Sequence, residues 1–484
     1  MIELINYKNI NKTILLSIIT FLMWVSIGSK YSPFPEVNDL SIKVLINKIR
    51  FYLPLLLISI LFFYKKNYQN NIYLKIIIFF IFLSFIIGNY NLYQNNPDLI
   101  KTFKSDQILI QKGYLPNLIR DIMMSIYFLC TYLIISRFNQ NETRTFLKLN
   151  YFFLLFISFL TLFFSYKEYF SSQQEYLYFT QFLITGELFG VSTIRSLGLS
   201  RNLFIIFIPL ALLYLFKEEK KNNLFLIITL IFLGLNIFQL QSRLSIYSYY
   251  IFCSIIIIFF FYKGSYKKII KLIIIFLIIP QFLNILIPIV KNEIIIKKDA
   301  SKKINMLTER NKLNFEELKK YYQTLKVPKS RIYTLTPNND NINKNDQFAI
   351  ASEYSSGRLM LWKKTLNLFT DKNNLHNNFL GFGSSADRFF LKESVSNAIL
   401  YSLISGGAIG LIFIILFYLY ILWIFFIFLK NKEKYSKDFT VYSSIIVIIF
   451  LMLRSLVESS FLIFGSDNII LFICLSYLNK KRLI

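Results

Sequence analysis

At 484 residues, 55% hydrophobic and 18% aromatic, with a mean hydropathy of +0.50, the chain carries more apolar surface than a soluble protein of this length can bury. Its formal charge of +27 does not mark a nucleic-acid binder, because the lysines sit in short connections between apolar runs and form no separate basic domain. Three cysteines (Cys130, Cys253, Cys474), all inside apolar runs, and one histidine, His376, provide neither a disulfide framework nor a zinc ligand set.

Apolar runs of spanning length lie near 13–28, 51–64, 73–88, 119–135, 151–166, 202–216, 224–240, 246–262, 269–290, 398–429, 440–457 and 461–478. The first has no small-residue cleavage site and reads as a retained helix. Basic residues fall in alternate connections: Lys65 with Lys66, Arg137 with Arg144, Lys217 with Lys220 and Lys221, Lys263 with Lys267 and Lys268, Lys430 with Lys432 and Lys434, and Lys480 with Lys481 and Arg482. With these connections placed inside, the pattern predicts an all-α polytopic membrane protein of about 12 transmembrane helices, both termini cytoplasmic. Residues 1–290 would hold helices one to nine, 291–397 a large outward loop, and 398–484 the last three helices.

The long loop is net basic, which long loops tolerate on either side. Two amphipathic helices are expected in it. One falls within 301–327, where Asn314 and Glu317 form a capping pair. The other starts near Arg358, capped by Ser355 or Ser356, with Leu359, Trp362, Leu366 and Phe369 on one apolar face. Between them, 328–351 is Asn-rich with Pro328 and Pro337 and reads as a strap. Gly381 to Ser385 is turn-rich, and Ser396-Asn397 precedes a helix that begins with Ser405-Gly406-Gly407 in its early turns.

The outward connections gather arginines: Arg195, Arg201, Arg243, Arg358, Arg388 and Arg454. One arginine at a helix end commonly snorkels to the interface. Several on one side, without an equal number of acids, suit a phosphate or diphosphate, since the guanidinium fork matches that geometry. The acids on this side are Glu187, Glu353, Asp387, Glu393, Glu458 and Asp467, and spacing alone does not choose a general base among them. His376 is the one residue whose ordinary pKa suits base work near neutrality. There is no outward DxD pair for a metal-bound nucleotide sugar and no phosphate-cradling glycine loop.

Four stretches resemble the O-antigen ligase and O-antigen polymerase family of bacterial inner-membrane glycosyltransferases. They are Arg195-Ser196-Leu197-Gly198 with Asn202; Gln241-Ser242-Arg243; Ser356-Gly357-Arg358 with Trp362 and then Gly381-Phe382-Gly383; and Ser396-Asn397-Ala398 leading to Gly406-Gly407-Ala408-Ile409-Gly410. The likeness covers roughly residues 176–478. Where the ligases place a His before Asn, this chain has Ser396, while His376-Asn377 lies upstream of the glycine turn; that departure favours the polymerase side.

The resemblance implies transfer of a glycan from a polyprenyl-diphosphate carrier at the periplasmic face. The acceptor would be a hydroxyl of another lipid-linked glycan, or of lipid A-core in the ligase alternative. Arg195 and Arg243 would clamp the diphosphate with Arg358 in support, near Ser396 and Asn397, and no metal or other cofactor is required. The base stays open among His376, Glu458, Asp387 and Glu353. Two rivals are a lipid-linked oligosaccharide flippase, which needs no large loop, and a mannosyltransferase-like enzyme using Glu36 and Asp39.

Overall fold

The computed structural model describes residues 72–95, 114–171, 196–216, 224–240, 242–262, 264–291, 293–294, 358–370, 379–384, 386–391, 395–435, 438–457 and 466–481. The first two apolar runs, the helix expected within 301–327, the strap at 328–351, and Arg195, Glu353, His376 and Glu458 lie outside the described residues. Every regular element among the described residues is helical. We number them α1 (Ile72–Asn95), α2 (Tyr114–Arg137), α3 (Gln140–Ser171), α4 (Ser196–Phe216), α5 (Leu224–Gln239) and α6 (Arg243–Tyr262). After these come α7 (Tyr266–Lys291), α8 (Arg358–Thr370), α9 (Ala386–Leu391), α10 (Ala398–Lys430), α11 (Phe439–Ser455) and α12 (Ser466–Lys480).

By length and composition, four of these helices (within α1, and α6, α7 and α10) can cross a membrane, and α4, α5, α11 and α12 contain shorter apolar stretches. On α6, Tyr247, Ile251, Ile255 and Ile258 face outward; on α7, Ile274, Ile278, Phe282 and Ile285 do the same. Apolar residues repeating at helical spacing on an uncovered face are what a helix presents to lipid. The interior is aliphatic and aromatic. Phe207 and Tyr249, both fully buried, pack with ring centroids 4.8 Å apart, and Phe276 closes against Phe207 at 5.2 Å.

Polar groups within this interior are used locally. Pro280 in α7 has no N–H to offer the Phe276 carbonyl one turn back, and the helix loosens there into a π turn over Ile274–Ile278. The Tyr249 hydroxyl donates to that carbonyl instead. At the start of α3, Asn139 and Glu142 form a reciprocal capping box, with N···O distances of 2.7 and 2.8 Å.

Three of the basic connections meet at one end of the bundle. Lys480 Nζ donates to the Ile135 carbonyl at 2.7 Å, Lys481 pairs with Asp438 at 2.7 Å, and the Tyr435 hydroxyl donates to the Lys481 carbonyl at 3.2 Å. The connections around 137–140, 431–438 and 480–481 are therefore neighbours. At the opposite end, α1, the 379–384 turn, α9, and the starts of α8 and α10 come together with the end of α11. Three of the six basic connections thus lie at one end, and the 379–384 turn with the start of α10 and the end of α11 at the other.

Candidate functional site

The second face is built around a break in α10. Thirty-three residues of unbroken helix would run about 50 Å, well beyond a hydrocarbon core of about 30 Å. The helix is interrupted at Gly407, whose φ of 62° and ψ of −152° no side-chain-bearing residue adopts without strain. Interruption frees two carbonyls from their helical donors. The 379–384 turn supplies the missing N–H groups: Phe382 N donates to Ile404 O at 2.9 Å, and Gly383 N to Ser405 O at 2.8 Å. From α1, Asn91 Nδ2 donates to Gly381 O at 2.7 Å, and the Tyr401 hydroxyl donates to Ser384 O at 2.5 Å. Gly88 on α1 lies so close to Ser405 O and Gly383 N that a methyl group there would overlap both. The turn is therefore locked to α1 and to the break.

A second set of bonds fixes the segment leading into α10. Trp362 Nε1 on α8 donates to Val395 O at 2.9 Å, and Asp387 Oδ2 on α9 accepts from Val395 N at 3.4 Å. Val395 is fully buried with Leu92, Phe382, Ala386 and Ile404 in a small apolar cluster separate from the main core. Ser396, half-buried, takes φ 54°, left-handed backbone that a serine holds only under constraint. Asn397 then caps α10: its Oδ1 accepts from Ile399 N at 2.9 Å and Leu400 N at 3.0 Å, while its Nδ2 donates to Leu456 O at 2.6 Å beyond the end of α11.

On this scaffold two of the expected arginines come together. Arg243 is the first residue of α6 and exposed; Arg358 is the first residue of α8 and half-buried. Burial, and then the nearby charge of Arg243, depress the Arg358 pKa below its ordinary value. Both residues open helices, where the helix dipole adds positive potential. Two cations and two helix starts within one another's field form a place for an anion, and the fork geometry of arginine suits phosphate oxygens. Arg454, 4% exposed, sits in the last turn of α11, next to the Leu456 carbonyl that Asn397 holds. Arg201 in α4 is half-buried with Nε 3.2 Å from Asn202 Oδ1, so its fork is partly engaged by its neighbour.

The other expected site residues have structural employment. Asp387 is 1% exposed and binds backbone, which is the situation of a positioning carboxylate. The polar atoms of Asn397 are engaged in the cap and the link to α11. Sequence reasoning missed Asn89 and Asn91, both buried near the end of α1. The signal was available: two amides in the short run Gly88-Asn89-Tyr90-Asn91, at the end of an apolar helix, need partners. Leu366, expected on the packed face of α8, is exposed with Met360, and Thr365 is buried in its stead. Comparison of the chain with protein-family models, curated proteins and solved structures gives no match.

Proposed function

We propose that the chain is a polytopic glycosyltransferase of about 12 spans, similar to the O-antigen polymerases and ligases, working at the periplasmic face of a bacterial inner membrane. It would move a glycan from a polyprenyl-diphosphate carrier to a hydroxyl of a second lipid-linked glycan. The observation that carries this reading is that Arg243 and Arg358, each the first residue of its helix, lie near enough for the charge of one to act on the other. A diphosphate is already a competent leaving group. The protein then has to hold it, stabilise the charge that grows on it as the glycosidic bond breaks, and orient the incoming hydroxyl. Two arginine forks at helix starts supply the first two functions without a metal. The packing of the 379–384 turn against the α10 break supports the third, by giving the approach to the arginines a fixed wall. The incoming hydroxyl must also lose its proton, and Glu458, His376, Glu353 and Asp387 remain the acceptors to test.

The test uses purified full-length protein with a lipid-linked glycan donor. Arg243→Ala and Arg358→Ala should each lower transfer about a hundredfold, the usual cost of one electrostatic donor to a developing charge, with helical content unchanged. Lysine at either position keeps charge but not the fork, and should recover little. Alanine variants of near-normal activity would overturn the reading, and near-normal lysine variants would replace the bidentate contact by a diffuse field. Product length separates the two members of the family. Loss of chains longer than a single repeat in a deletion strain means polymerase; long chains stranded on the carrier mean ligase.

A further inference from the structure

The opposite, basic end of the bundle holds a second cationic site that the transfer reaction does not use. Four cations lie on two helices at this end: Arg144, with Lys148 one turn further along α3, and Lys480 closing α12 with Lys481 just beyond it; Lys480 bonds Thr143, the neighbour of Arg144. Arg144 and Lys148 are one helical turn apart, a like-charge spacing that costs stability unless an anion lies between or beside them. Two carboxylates are nearby and both are occupied: Glu142 closes the capping box with Asn139, and Asp438 pairs with Lys481 while capping α11. Lys480 hydrogen-bonds neutral oxygens, Ile135 O at 2.7 Å and Thr143 Oγ1 at 2.6 Å, and the Glu142 carboxylate acts on it only through space.

Arg144 is the informative member. Its guanidinium lies over the Phe439 ring at 5.8 Å, so one face is set against an aromatic floor. Its Nε is buried without a hydrogen-bond partner among the described residues, while the residue as a whole keeps partial exposure. A fully snorkelled arginine would take Nε to water as well; here Nε is held back between α3 and the start of α11 without a hydrogen bond among the described residues.

We infer that Arg144, Lys148 and Lys480 form a binding site for the phosphate of an anionic phospholipid headgroup in the leaflet on the basic side. Basic pockets between helices at that level select such headgroups, and the lipid's chains would run along the apolar flanks of α3. Phe152 and Phe156, one and two turns further into the membrane from Lys148, are exposed and continue the same strip of helix. The site is independent of the glycan reading, since none of its residues lies at the arginine pair.

The experiment measures lipid retention by native mass spectrometry on the delipidated full-length protein, titrated with phosphatidylglycerol or with phosphatidylcholine of the same chains. Wild type should retain phosphatidylglycerol in preference. Arg144→Gln with Lys148→Gln should weaken that retention about fivefold for each cation removed. Lys430→Gln with Lys434→Gln, cations at the same end but outside the pocket, should leave it unchanged. Should the first pair fail to fold, Lys148→Gln alone, at an exposed position, carries the test with an expected loss of about fivefold. Equal retention of the two lipids, or retention unaltered by the pocket variants, overturns the inference. So does an equal loss in the control pair, which would indicate a diffuse field. Displacement of the lipid by millimolar inorganic phosphate, with equal thermal stabilisation by phosphate alone, would assign the pocket to a free anion and overturn the lipid.

Discussion

Asp438 illustrates how much a single side chain does at the basic end. Burial alone would raise its carboxyl; the Lys481 hydrogen bond and charge, with the Val441 N–H and the Tyr477 hydroxyl, outweigh burial and hold it below its ordinary value of 3.8. A carboxyl depressed by folding contributes stability above its unfolded pKa, and that contribution disappears as pH falls through the lower folded value. Thermal midpoints should therefore be flat near neutrality and fall below about pH 4, whereas Asp438→Asn should start lower at pH 7 and lose less on acidification. Residues of this kind were only partly legible in the sequence. Arg243 was, because a guanidinium in a very short turn between two apolar helices has little structural reason to be there. Its meeting with Arg358 was expected only from side, since no spacing rule links positions so distant in sequence. For Asp387 and Asn397 residue type shows what a group can do, and the backbone partners seen here could be read only from the structure.

Among elements, α8 was legible in place but not in facing. The expected cap at Ser355 or Ser356 lies outside the described residues; within the helix the buried stripe runs through Thr365, and Leu366 is turned outward. Periodicity reports the apolar residues available, and the Trp362–Val395 bond fixes the rotation of the helix about its own axis. The break in α10 was visible only as a run of small residues; its reason lies in the 379–384 turn, which supplies N–H groups to two carbonyls from outside the helix. The Asn397 cap is the element-scale joint between α10 and α11. Asn397→Ala should cost about 1–2 kcal/mol in detergent unfolding, from the lost cap together with the lost bond to Leu456. Asn397→Ser retains a capping oxygen but cannot reach Leu456, and should fall between alanine and wild type. Equal stability of all three variants would show the link to be dispensable.

For the whole molecule, alternation of basic connections was the most informative pattern, because lysine and arginine placement depends on side and not on detailed packing. Three of those connections lie together in the structure, and the direction of the whole is open to a direct test. Cysteine at Asn339 should react with a membrane-impermeant thiol reagent in intact cells, and cysteine at Asn222 should not; the native cysteines are buried and add little background. The reverse result would move the arginine pair to the cytoplasm and remove the proposed reaction. The lock between α1 and the turn has a further consequence, for the order in which the chain matures. The Asn91–Gly381 bond joins groups 290 positions apart, and α1 also makes its broadest contact with α10. At about 5–20 residues per second, α1 leaves the ribosome on the order of 15–60 s before its partners do. Throughout that interval its two buried amides and the bare flank at Gly88 have no native cover. Early helices must wait in a provisional arrangement, and the face around the 379–384 turn closes only when the final third of the polypeptide is inserted. A ribosome stalled before α10 would leave a product with membrane-embedded polar groups exposed, which is the feature by which quality-control proteases distinguish unfinished membrane proteins from finished ones.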